Sequence, residues 1–131
     1  MTRTNIITAN FIKGNGFYSG DKTMKIRRLH KIVIGDTTFK MVWDADDAGG
    51  HVKYPNKDEP GEIMVGTMID ATNPENTLSV LIHELTEAIH IDQRTRYIRP
   101  DTLDSYEFHY DHRQHTVLCG RLAGLLNQFI V

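Results

Sequence analysis

Cysteine is nearly missing from this chain. Cys119 is the one thiol in 131 residues, so an internal disulfide is excluded and a reducing, cytoplasmic setting is expected. Cys119 lies in an apolar, helix-patterned stretch, where a small buried side chain is a plainer reading than a nucleophile. Long hydrophobic runs are missing too. No stretch approaches the roughly 20 apolar residues that cross a bilayer, and the first residues lack the apolar core of a secretion signal, so neither membrane insertion nor export is expected. There is no excess of one charge. Lys and Arg number 15 against 17 Asp and Glu, a formal charge of −2, and no nucleic-acid partner is expected. The short basic cluster Lys25, Arg27, Arg28 and Lys31 reads as a solvated strand face. Repeats and low-complexity segments are also lacking.

What is present is a single domain's length with strand signals first and helix signals after. Residues 1–23 are polar and glycine-punctuated, with a short apolar alternation from Ile6 to Ile12. They read as a loosely attached arm with one edge strand at most, and the compact domain is expected over 24–131. Lys31 to Trp43 reads as two strands around a Gly35-Asp36 turn. A third strand is expected at His51–Tyr54 and a fourth, apolar enough to be central, at Glu62–Ile69. Asn73-Pro74-Glu75 opens a helix: Asn suits the N-cap, Pro the first turn, and Glu the positive end of the dipole. A linker follows around Arg99-Pro100, including the Arg94 to Arg99 run, which reads as solvated. A last helix is expected from about Ser105 to Ile130, with Leu118, Leu122, Leu125, Leu126 and Phe129 on one face. The predicted fold is α+β, a small, mostly antiparallel sheet packed against two main helices.

Histidine is the residue in surplus, and His83-Glu84-Leu-Thr-Glu87-Ala-Ile-His90 holds the most chemistry. With His83 as origin on a helix, Glu87 falls near 40°, His90 near −20°, and Glu84 beside them near 100°. Imidazoles and carboxylates set among Leu and Ile are costly to bury unless something neutralises them, as a metal ion does. A His and a second donor at i and i+4 reach one ion from one helix, the spacing used by H-E-x-x-H. Glu87 stands where that motif has His. It adds a negative charge, which weakens the Lewis acid; Zn²⁺ is the expected ion, with the harder Mn²⁺ or Fe²⁺ as alternatives. Glu84 is placed to act as general base on water activated by the ion. The plain alternative is a solvated i,i+4 pair on an exposed helix face.

A third ligand has to come from the last helix. His115 projects to the apolar side there, with Leu122 near −20° and Leu118 near −60° of it. Asp111, a turn earlier, is a second choice as ligand or as support for the imidazole. His112 ranks third, and both it and His109 fall toward solvent. His90 is about 10.5 Å along the axis from His83, too far to share its ion easily. It could hold a second ion with Glu87 bridging, or simply compensate the helix dipole.

The segment Asn76-Thr-Leu-Ser-Val-Leu-Ile-His83-Glu84-Leu-Thr-Glu87-Ala88-Ile89, with Leu122-Ala123-Gly-Leu-Leu126-Asn-Gln-Phe129, resembles the two helices of small zincin-like metallopeptidase domains encoded by phages and prophages. The resemblance covers roughly residues 24–131 and, outside the two helices, is a pattern of strands only. It implies a zincin-like fold, His83 as first ligand, Glu84 as base and Glu87 in the second ligand's place. It implies a carboxylate as third ligand early in the last helix, where His115 and Asp111 are nearest and Thr116 cannot serve, so with His115 the chain departs from the pattern at two of three ligands. The implied activity is hydrolysis of a protein or peptide, in the host cytoplasm if the gene is phage-borne. The alternative is a catalytically inactive domain of the same type that keeps its metal structurally and acts by binding a host or phage protein.

Overall fold

The computed structural model describes residues 5–10, 23–70, 72–99 and 105–130. Strand β1 (Asn5–Asn10) pairs antiparallel with β2 (Thr23–Arg28). The main sheet contains β3 (Lys31–Ile34), β4 (Thr37–Asp44), β5 (Gly50–Lys53) and β6 (Gly61–Gly66), in the order β3-β4-β6-β5. The outer pairings are antiparallel and the central β4–β6 pairing is parallel, so the sheet is mixed. Helix α1 (Pro74–Gln93), a small hairpin of β7 (Arg96–Ile98) and β8 (Tyr106–Phe108), and helix α2 (His112–Phe129) complete the fold. The fold class is α+β.

Each element follows from local chemistry. In β3, Ile32 and Ile34 point inward while Lys31 and Val33 face out, the period-2 pattern of a half-buried strand. The turn to β4 places Gly35 at φ +57°, and a Cβ there would lie 2.6 Å from an Asp92 carboxylate oxygen. Glycine is therefore required twice over, for the left-handed backbone and for the close approach. β6 is central, as its apolar run predicts, with Ile63, Met64 and Val65 all buried.

Leu81, Leu85, Ala88 and Ile89 of α1 are buried against Phe39, Met41 and the β6 side chains. Asn73 does occupy the N-cap of α1, but its side chain makes no capping bond. Leu118, Leu125 and Phe129 of α2 join the same core, where Phe129 meets Trp43 edge-on at 6.2 Å. Asp92 ties the elements together: it accepts from Thr37 Oγ1 at 3.0 Å and from Arg121 Nη1 at 2.6 Å. The β3–β4 turn, the end of α1 and the middle of α2 thus share one carboxylate.

The start of α2 departs from the expected Ser105. Asp111 is its N-cap, in extended backbone, accepting from the Gln114 N–H at 2.9 Å while Gln114 Oε1 accepts from the Asp111 N–H at 2.9 Å. This reciprocal box ends the helix backward at His112. Tyr106-Glu107-Phe108 instead pairs with Arg96-Tyr97-Ile98, so part of the expected linker is a hairpin. Aromatic alternation won over helical reach.

Candidate metal centre on helix α1

His83 and Glu87 lie one helical turn apart on α1, and Glu84 beside them turns toward the sheet. His83 Nε2 is 3.5 Å from Glu87 Oε2 and 3.9 Å from Glu84 Oε1. One donor atom from each of the three lies within 4.8 Å of the others, the one such His/Cys/Asp/Glu group among the described residues. The His83 side chain is 69% exposed, so the group opens to solvent on its imidazole side.

Glu84 is the buried member. Its room is set by β5: a Cβ on Gly50 would come within 2.9 Å of Glu84 Cγ and 2.6 Å of the Met64 carbonyl oxygen. Glu84 Oε2 is buried with no hydrogen-bond partner. Burial, then the charge of Glu87, then a hydrogen bond shared with Glu87 raise its pKa from 4.5 to about 7, against the pull of Arg96. A buried, unpartnered carboxylate oxygen beside a second carboxylate and an imidazole is a donor set that suits a divalent cation.

Arg96, on β7, is the unforeseen neighbour. Its Nε lies 3.8 Å from Glu87 Oε1, and its side chain is 4% exposed. The guanidinium sits 3.6 Å from the Tyr106 ring centroid and 5.3 Å from that of Tyr54. In sequence Arg96 belongs to a run that reads as a solvated linker. The signal that could have exposed it is the alternation Arg96-Tyr97-Ile98 matched by Tyr106-Glu107-Phe108.

The other histidines are placed less simply. His90 is buried, and not a surface residue compensating the helix dipole. Its Nδ1 is 2.7 Å from Thr95 Oγ1, and its ring packs on Phe108 and Tyr110 at 4.3 and 5.1 Å. Burial lowers its pKa, against the opposing pull of the Glu87 charge. His115 is exposed, contrary to its expected core-facing position. It falls in the first turns of α2, ahead of the first buried leucine, Leu118. There it stacks on Tyr110 at 5.8 Å and lies 3.6 Å from Cys119 Sγ. Cys119 is likewise exposed and not buried. Asp111 is occupied as a helix cap, and His112 is exposed at the first position of α2. His109 pairs with Glu107 at 3.0 Å. His83, Glu84 and Glu87 are thus together, while His115, Asp111, His112 and His90 lie outside the group. Among the described residues, no helix is long and apolar enough to cross a membrane.

The chain matches no protein-family model, no curated protein and no solved structure.

Proposed function

We propose that the chain is a metal-dependent hydrolase of the zincin-like kind, acting on the amide bonds of a protein or peptide. The observation that carries this reading is the convergence of His83, Glu84 and Glu87 donor atoms within 4.8 Å at a solvent-open face. His83 and Glu87 would hold the ion from α1, with Zn²⁺ the first choice and Mn²⁺ or Fe²⁺ the alternatives that an extra carboxylate accommodates. His115, the expected third ligand, lies outside this group on α2, so the ion's remaining positions would be open to water and substrate. The ion would supply Lewis acidity, polarising the amide carbonyl and making water a better nucleophile. Glu84 takes a proton from the attacking water and delivers it to the departing amine as the C–N bond breaks. Its pKa near 7 in the metal-free chain suits both halves of that transfer. β5 is an edge strand whose Gly50 abuts Glu84. An extended peptide adding to that edge would pass the carboxylates.

The test is made on untagged protein. Elemental analysis after loading should find about one equivalent of a transition metal. Under a tenth of an equivalent removes the metal reading altogether. With metal bound, Glu84→Gln should abolish release of peptides from fluorescently labelled casein while the metal stays in place. Metal bound in the parent protein without any turnover would favour a domain that keeps its ion structurally and acts by binding another protein.

A further inference from the structure

Glu87 stands at the position where an i,i+4 histidine would be neutral, and its charge needs an answer. The two oxygens of its carboxylate face different ways. Oε2 lies 3.5 Å from His83 Nε2, inside the candidate metal group, while Oε1 lies 3.8 Å from Arg96 Nε. The Arg96 guanidinium lies over the Tyr106 ring at 3.6 Å and within 5.3 Å of the Tyr54 ring centroid. Its Nε and Nη1 are buried and have no hydrogen-bond acceptor. Leaving buried N–H donors unpaired is unfavourable, and a carboxylate is the acceptor that a guanidinium fits best. Glu87 is the acidic residue within ion-pair distance of Arg96 among the described residues.

We infer that Arg96 is a positioning residue for the metal centre, holding Glu87 by Oε1 so that Oε2 alone is offered to the ion. It also cancels the charge that Glu87 adds. His83, Glu87 and Arg96 together carry the net charge of two neutral imidazoles, so the exchange of His for Glu on α1 is matched by an arginine on β7. This rests on the reading of His83 and Glu87 as metal ligands. An outer partner of this kind is worth about ten- to a hundredfold in metal affinity.

The same Arg96 would act in the opposite sense on a histidine at position 87, repelling the ion with no carboxylate to orient. That reversal is the test. Zn²⁺ affinity is measured on the full chain by competition with a chromophoric chelator, for Arg96→Met alone and combined with Glu87→His. Arg96→Met should weaken Zn²⁺ binding at least tenfold in the parent chain, and leave it unchanged or tighter in the Glu87→His background. Equal losses in both backgrounds would mean that Arg96 only supports the fold, and no loss in the parent chain would overturn the inference outright. If Arg96→Met does not fold by circular dichroism, Arg96→Lys takes its place. It keeps the charge but not the planar fork, so a severalfold loss is expected with Glu87 present and none with Glu87→His, equal losses again overturning the role. A parent chain that binds no Zn²⁺ sinks this inference together with the metal reading. A parent chain that binds Zn²⁺ with a flat cycle sinks the Arg96 role alone.

Discussion

Glu84 holds its proton more tightly in the folded chain than in the unfolded one, because burial and the neighbouring Glu87 both oppose its ionisation. Between about pH 4.5 and 7 the folded state therefore binds the extra proton. Stability of the metal-free protein must fall as pH rises across that window. Glu84→Gln removes the ionisation. We expect it to stabilise the metal-free protein by on the order of 2 kcal/mol at pH 8 and hardly at all at pH 4, where both states are protonated. Urea unfolding at the two pH values checks this, and an equal gain at both would show that Glu84 is not held protonated by its surroundings. The residue that makes the protein less stable at neutral pH is the one assigned to the chemistry, a common association of function with local cost. His90, one turn beyond Glu87, shows the contrast. Thr95 and two aromatic rings hold it within the packing, outside the metal group.

At the scale of elements, glycines separate positions where a strand must come close from positions on an open helix face. Gly35 has φ +57°, and an added Cβ would strike the Asp92 carboxylate, which Thr37 and Arg121 hold in place. Gly35→Ala should cost roughly 2 kcal/mol from backbone strain and displacement of that carboxylate. Gly124, on α2, has nothing within 4 Å of an added Cβ. Gly124→Ala should stabilise the protein by about 0.5–1 kcal/mol, since alanine loses less backbone entropy in a helix. Thermal melts of the pair should move in opposite directions. A matching fall for both would mean that the exposed face of α2 is covered by something else.

Elements also show how far the sequence could be read. The hairpin around Gly35-Asp36, the central β6 and the body of α1 were legible because their side-chain periods are local and unbroken. The boundary of α2 was not, although Asp111-x-x-Gln114 is a local capping signal, because whether the residues ahead of it extend the helix or pair as a strand depends on a partner, Arg96–Ile98. The parallel β4–β6 pairing was equally out of view. β6 returns between β4 and β5, and no property of its own six residues says which neighbour it will take.

For the whole molecule, an ion held by side chains that folding brings together should stabilise the fold. Zn²⁺ at about a hundredfold over its dissociation constant should add roughly 2.7 kcal/mol, seen as a rise in melting temperature that a chelator reverses. His83→Ala should remove the rise, and His115→Ala should reduce it if α2 completes the coordination. An undiminished rise in His115→Ala would confine the ion to the α1 group and shift the third donor to Glu84.

That His83, Glu84 and Glu87 share one side of a helix follows from their spacing alone, because helical geometry is fixed over a single turn and needs no other part of the chain. The class of fold follows from the sequence for the same reason, since strand and helix periods are local. What surrounds that face was set by packing across the fold. Packing brought Arg96 of the β7–β8 hairpin to Glu87, buried Glu84 against Gly50, set His90 against two aromatic rings and left His115 exposed. Those outcomes depend on contacts between residues distant in sequence, where charge, burial and access are set by packing and not by spacing along the chain.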